Sequence, residues 1–69
     1  MKLKEFRSEI KKIPTFGIAK INGEKVRVVA MSNYAIIVQE VKSDIIGVPL
    51  RTTILDFNEI DTIEILYNV

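Results

Sequence analysis

Two apolar runs flank an Asn-Gly pair in residues 15–31, which read TFGIAKI-NG-EKVRVVAM. Asn22-Gly23 is the strongest short hairpin signal in the chain, because a type I′ turn needs positive φ at both of its central residues. The pair predicts one strand over residues 15–21 and a second over residues 24–31. A two-residue loop also fixes the register between the two strands.

The predicted register decides which side chains share a face of this hairpin. It places four pairs opposite each other: Ile21 with Glu24, Ala19 with Val26, Gly17 with Val28, and Phe16 with Val29. Because side chains alternate along a strand, one face then carries Gly17, Ala19, Ile21, Val26, Val28 and Ala30. The other face carries Phe16, Ile18, Val29 and Met31 at one end, and Lys20, Lys25 and Arg27 beside the turn. Gly17 favours a bend or a close approach of the backbone.

An amphipathic helix is predicted for residues 1–13. Its apolar positions recur at helical spacing and form one stripe: Leu3, Phe6, Ile10 and Ile13. Pro14 disfavours the α conformation at the residue before it and so predicts the end of the helix. A helix of this length is marginal alone in water. We therefore expect the stripe to pack on the sheet.

The rest of the chain is predicted to be extended. Residues 34–41 form a third strand whose central apolar run suggests burial on both faces. Residues 45–50 contain Gly and Pro, which favour an edge strand, a bulge or an extended loop. A strand over 51–55, a turn or one helical turn over 56–59, and a last strand over 60–67 complete the order.

These elements predict a single domain over residues 1–69, with the helix over 1–13 and the sheet over 15–67. The fold class is α+β and β-dominated: an N-terminal helix followed by a curled antiparallel sheet or small open barrel of about five strands. Only about 60% of the unfolded surface is buried in a domain of this size, so its stability is marginal. The 12 Ile and 7 Val residues provide a dense aliphatic core, and self-association is a second source of stability.

The order of one helix and five strands resembles the layout of Sm-like small barrels. The residues that carry the likeness are Asn22-Gly23-Glu24-Lys25-Val26-Arg27-Val28-Val29 and the stretch Ile54–Ile65. The resemblance implies a small barrel and ring-forming oligomers. The acidic residue and Asn with which that family reads RNA bases have no counterpart in Gln39-Glu40-Val41-Lys42, and its late Arg-Gly or Lys-His signature is missing. RNA binding is therefore not carried over.

Composition argues against catalysis. The chain has no Cys and no His, which excludes disulfides and thiolate or imidazole metal sites and removes the commonest general base. The densest carboxylate cluster matches no calcium-loop spacing and is interpreted as a solvated turn and strand face: Asp56, Glu59, Asp61 and Glu64. We predict no enzyme activity, no catalytic residues, no metal site and no cofactor.

We predict a non-catalytic binding or assembly module that associates with itself or with another protein. The predicted protein interface lies in residues 45–50 and consists of Ile45, Ile46, Val48 and Leu50. Strand edges are a second route to self-association. The first 13 residues hold five basic and two acidic side chains, a local charge of +3, whereas residues 56–64 hold four acidic and no basic ones. These charges can meet within one chain or between copies.

The alternative prediction is a nucleic-acid-binding small barrel that uses a basic patch. Its candidate residues are Lys20, Lys25 and Arg27 on the sheet and Lys4, Arg7 and Lys11 on the helix. Phe16 and Tyr34 are the candidate stacking aromatics. No stretch approaches the roughly 20 apolar residues needed to span a bilayer, and no signal-peptide pattern is present, so we predict a cytoplasmic protein.

Overall fold

The computed structural model describes residues 1–14, 16–41 and 49–66. Its elements, in chain order, are α1 (Leu3–Ile10), β1 (Ile18–Ile21), β2 (Glu24–Met31), β3 (Ala35–Glu40), β4 (Thr52–Asp56), a 3-10 turn (Phe57–Glu59) and β5 (Ile63–Leu66). The strands form one antiparallel sheet in the order β4-β3-β2-β1-β5, which is not closed within the described residues. The predicted fold class, α+β and β-dominated, is confirmed.

The hairpin at the centre of the sheet has the predicted geometry. Asn22 and Gly23 have φ of 54° and 82°, the positive values that a type I′ turn needs. Ile21 pairs with Glu24 and Ala19 with Val26, as the two-residue loop predicts. The local sequence alone therefore determines the register of β1 and β2.

The apolar stripe of α1 packs on one face of the sheet. Phe6, Ile10 and Ile13 belong to the same buried cluster as residues of β1, β2 and β3. Phe6 is fully buried, and the centre of its ring lies 6.3 Å from that of Phe57 in the 3-10 turn. Full burial of a Phe side chain contributes about 1.5–3 kcal/mol. An eight-residue helix is too short to be stable alone, so this packing holds α1 in place.

Helix α1 ends earlier than predicted, at Ile10 rather than residue 13. The backbone N–H groups of Lys12 and Ile13 donate to the carbonyls three residues earlier, at Glu9 and Ile10, both at 3.1 Å. Such bonds tighten the last turn of a helix. Pro14 keeps the preceding residue out of the α conformation, yet Ile13 still reaches the core and is buried.

The first predicted strand is too long at its N-terminal end. Phe16 has φ of 57°, in the left-handed region, and its side chain is exposed rather than paired with Val29. The Gly17 N–H donates to the Pro14 carbonyl at 2.7 Å, and the Gly17 carbonyl accepts from the Val28 N–H at 3.0 Å. The chain therefore turns sharply just before Gly17, and β1 begins at Ile18. Gly17 itself lies against Pro14, which confirms the predicted close approach of the backbone.

A bulge in β2 overturns the predicted face of Ala30. The register between β2 and β3 shifts between Val28 and Ala30, so Val28 pairs with Val38 while Ala30 pairs with Ile37. An extra residue in one strand reverses the alternation beyond it. Ala30 consequently leaves the core face and is exposed. Ile37 is only half-buried, so the prediction that both faces of the third strand are buried is wrong.

The second half of the chain follows the predicted order with shifted bounds. Strand β4 begins and ends one residue later than predicted, and the predicted turn at residues 56–59 contains one 3-10 turn. Strand β5 starts at Ile63, three residues later than predicted, and Ile60 in the segment that leads from β4 to β5 is fully buried. Residues 45–48 and Tyr67 lie outside the described residues.

The side chain of Asn22 attaches this crossing segment to the hairpin. Its Nδ2 donates to the Glu59 carbonyl at 2.9 Å, and its Oδ1 accepts from the N–H groups of Asp61 at 2.7 Å and Thr62 at 3.2 Å. The Asn22 N–H also donates to the Thr62 carbonyl at 3.0 Å. We call the three side-chain bonds the Asn22 clamp. They fix where β5 begins beside β1.

Removing the clamp should destabilise the fold without changing the turn. The substitution Asn22→Gly keeps the positive φ but deletes three hydrogen bonds, and we expect it to lower the free energy of unfolding by about 1–3 kcal/mol. Asn22→Ala should cost roughly 1 kcal/mol more, because alanine is strained at positive φ. Urea unfolding followed by circular dichroism measures both. Equal stabilities for Asn22→Gly and the native chain would show that the clamp contributes nothing.

The close approach at Gly17 gives a second stability prediction. A Cβ added there would lie 2.7 Å from both the carbonyl oxygen and the Cγ of Pro14. Gly17 is buried, and one of the two crowding atoms belongs to the backbone, which cannot easily move aside. We therefore expect Gly17→Ala to lower the free energy of unfolding by about 1–3 kcal/mol. Ser8→Ala, on the exposed part of α1, is the control and should change little. Thermal unfolding compares the two, and a Gly17→Ala protein as stable as the control would contradict the crowding.

Candidate interaction surfaces

The predicted basic residues lie on opposite sides of the sheet. We call Lys20, Lys25 and Arg27 the sheet patch, and Lys4, Arg7 and Lys11 the helix stripe. The sheet patch alternates with the buried residues of β1 and β2 and so lies on the face away from the core. Helix α1 packs on the core face. The six residues therefore form two separate patches.

The sheet patch is partly neutralised and partly used in the fold. Lys20 pairs with Lys25 on one side and with Glu64 of β5 on the other. Two like charges directly opposite each other are unfavourable, and the carboxylate offsets this. Arg27 donates from Nη1 to the Phe16 carbonyl at 2.8 Å. This bond supports the sharp turn before β1.

The helix stripe adjoins the turn between β2 and β3. Arg7 donates from Nε to the Asn33 carbonyl at 3.3 Å, and its Cζ lies 5.4 Å from the centre of the Tyr34 ring. This is within the range of a cation–π interaction. A depression between α1 and the turn is lined by Arg7, Ile10, Lys11, Met31, Ser32 and Asn33. We call it the helix–turn cleft.

The turn that forms one wall of this cleft is internally hydrogen-bonded. The Ser32 Oγ accepts from the N–H groups of Tyr34 at 3.2 Å and Ala35 at 3.1 Å. The Ser32 N–H donates to the Ala35 carbonyl at 2.8 Å, and the Phe57 N–H donates to the Tyr34 carbonyl at 2.9 Å. Tyr34 is 56% exposed on this fixed backbone. The backbone that carries Tyr34 is thus held in place, while the residue itself stays accessible.

The acidic cluster has a structural use in the described residues. Asp56 accepts from the Asn58 N–H at 2.9 Å, and Glu59 accepts from the Asp56 N–H at 3.2 Å. These bonds form a capping box on the 3-10 turn. Within residues 1–14, 16–41 and 49–66, no three His, Cys, Asp or Glu side chains come together as metal ligands.

Among the residues that the structure describes, the most exposed large apolar side chain is Ile54 of β4. Ile54 is 67% exposed, whereas Leu50 is 36% exposed. Ile54 pairs with Ile37, which in turn pairs with Ala30, so an apolar row crosses the face of the sheet away from the core. The other predicted interface residues, Ile45, Ile46 and Val48, lie outside the described residues.

Two features of these surfaces were missed at the sequence level. The spacing of Asp56 and Glu59 is the signature of a capping box and would have favoured one helical turn over a plain turn at residues 56–59. The approach of Arg7 to Tyr34 joins residues 27 positions apart, and no local pattern in the sequence indicates it.

Comparison with protein-family models, with curated proteins and with solved structures finds no match for this chain. The resemblance to Sm-like barrels thus remains a likeness in element order. In the described ranges, no helix has the length and apolar character to cross a membrane.

Proposed function

We propose that the protein is a non-catalytic assembly module that associates with itself through the two edges of its sheet. The outer edge of β4 in one copy pairs with the outer edge of β5 in the next. The observation that carries the proposal is Ile54, a large apolar side chain that is 67% exposed on an edge strand. An apolar edge strand is a template for pairing with another chain.

Two residues of β4 direct their backbone groups outward. The Glu40 N–H donates to the Arg51 carbonyl and the Phe57 N–H to the Tyr34 carbonyl. Because bonding direction alternates along a strand, Thr53 and Leu55 also bond to β3, while Thr52 and Ile54 point away from it. The Asp56 N–H also lies on this outer side, but Glu59 accepts its hydrogen bond. Thr52 and Ile54 supply the groups for a new ladder.

The outer edge of β5 offers a matching pair. The Asn22 N–H donates to the Thr62 carbonyl, which places Thr62, Glu64 and Leu66 in register to bond to β1. The backbones of Ile63 and Ile65 therefore point outward. Their side chains pack against the core cluster. Each edge thus presents two residues, two positions apart, with outward donors and acceptors.

The faces of these residues favour pairing of β4 with β5 over pairing of β4 with itself. Two residues that exchange hydrogen bonds across an antiparallel ladder place their side chains on the same face. Ile54 would then lie beside Ile63 or Ile65 of the next copy, on the face of that copy's sheet that packs against its core. In a β4–β4 pair, Ile54 would lie on the face of the partner's sheet away from its core, where part of the side chain stays in water. Burial of an Ile side chain contributes about 1.5–3 kcal/mol.

When β4 of one copy pairs with β5 of another, the resulting dimer still presents one β4 edge and one β5 edge for further pairing. Head-to-tail contacts of this type repeat until they close a ring or continue as a filament. The small size of the chain makes this favourable, because a domain of this length has limited buried area of its own. Assembly therefore adds stability as well as size.

Proline at the edges tests the pairing directly. Ile54→Pro and Ile63→Pro each remove an N–H that points outward, so the ladders inside the subunit are kept. We expect each variant alone to be monomeric by native mass spectrometry and sedimentation at high micromolar concentration, where the native chain forms larger species. An equimolar mixture should form a heterodimer, because each variant retains the edge that the other lacks.

Ile54→Val is the matched control and should assemble as the native chain does, since it keeps a β-branched apolar side chain at the edge. Circular dichroism checks that all variants are folded. A native chain that is strictly monomeric would overturn the proposal. Dimers of Ile63→Pro alone would point instead to pairing of β4 with itself.

A further inference from the structure

We propose that the helix–turn cleft, together with Tyr34 and Lys4 at its margins, binds single-stranded nucleic acid. The bases stack on Tyr34 and the phosphates contact the helix stripe. This inference does not depend on self-association, because every group that it uses belongs to one copy of the chain.

The helix stripe presents a row of positive charge. Lys4, Arg7 and Lys11 follow the spacing i, i+3 and i+7, which places them on one side of α1 over a length of about 10 Å. A second groove, lined by Leu3, Lys4, Arg7, Ser8 and Lys11, shares Arg7 and Lys11 with the cleft. The acidic residues of the helix, Glu5 and Glu9, lie two positions from Arg7 and so on the opposite side. The grooves therefore have a cationic lining.

Tyr34 provides a stacking surface at the end of this row. The residue is 56% exposed, and the Arg7 guanidinium lies 5.4 Å from the ring centre. Arg7 is held by its bond to the Asn33 carbonyl, and the Tyr34 backbone is held by Ser32 and Phe57. A base that stacks on the ring would meet groups already in position, which lowers the entropy cost of binding.

The combination of groups selects the ligand. Unpaired bases stack on aromatic rings and on guanidinium planes, and their phosphates contact Lys and Arg. In a duplex the base faces are covered by neighbouring bases, so an exposed Tyr ring favours single strands. An acidic peptide would use the charges of the helix stripe but not the ring. The dependence of binding on Tyr34 therefore separates the two ligands.

The sheet patch is the weaker candidate for this role. Lys20 has Glu64 beside it, and Arg27 is used to hold the Phe16 carbonyl. It also lies on the opposite side of the sheet from Tyr34 and α1. The sheet patch thus serves as a control with the same kind of charge in a different place.

The experiment is a fluorescence anisotropy titration of the full chain with a labelled oligothymidine of about ten nucleotides at low salt. Tyr34→Leu should weaken binding roughly five- to 150-fold, the range for loss of one base–aromatic stack, while Tyr34→Phe should bind as the native chain does. The double variant K4E/K11E should abolish detectable binding. The charge-matched variant K20E/K25E should retain most of it.

Salt dependence gives a second readout. With three phosphate contacts, the logarithm of the association constant should fall with the logarithm of salt concentration at a slope of about −2. Lys11→Ala should reduce that slope by about 0.7. The Ile54→Pro variant should bind the short oligonucleotide with unchanged affinity per chain, so a failure of self-association would leave this result intact.

Three outcomes would overturn the proposal. The first is absence of binding at low salt by the native chain. The second is loss of binding in K20E/K25E but not in K4E/K11E, which would place the site on the sheet patch. The third is competition by polyglutamate as strong as by oligothymidine, with Tyr34→Leu unaffected, which would indicate a surface for acidic peptides.

Discussion

The fold depends on the attachment of the chain's last strand to its first hairpin by Asn22. A hairpin of β1 and β2 is a local structure, and local structures of two strands are barely stable in water. The bonds from Asn22 to Glu59, Asp61 and Thr62 link it to backbone 37 to 40 residues further along the sequence. One residue thus sets the turn through its backbone and positions β5 through its side chain.

The parts of the structure that the sequence predicts are those set by near neighbours. Asn22-Gly23 predicts the register of β1 and β2 because a two-residue turn leaves a single way to pair the strands. The apolar stripe of α1 predicts that the helix packs on the sheet, because helical spacing places the members of the stripe on one face. The bulge after Val28 could not be predicted, since an extra residue in one strand leaves the apolar pattern of β2 unchanged. The pairing of β5 with β1 is also non-local, and the sequence between them carries no sign of it.

The candidate sites also combine features that the sequence predicts with features that depend on non-local contacts. The basic residues can be read from the sequence, but their division between two sides of the sheet cannot, because it depends on which face α1 covers. Tyr34 was identifiable as an aromatic residue near a turn, yet its partner Arg7 comes from the other end of the chain. The direction in which the backbone groups of Ile54 point can be read only from the hydrogen-bond ladder between β3 and β4. The position of β4 at an edge follows only from the order of all five strands.

Helix α1 contributes residues to both the core and the helix–turn cleft, and its geometry explains how one short segment can serve both. Phe6 and Ile10 lie on either side of Arg7 in the sequence, and both are buried against the sheet. Their burial fixes the position and rotation of the helix, and with it the direction of the Arg7 side chain toward Tyr34. A binding group on an anchored element is held more accurately than one on a loop. Because Lys4, Lys11 and Tyr34 are exposed and add little to the core, changes there should alter recognition with small effects on stability. The fold therefore separates the residues that hold α1 from those that contact a ligand, although they alternate along the same two turns of helix.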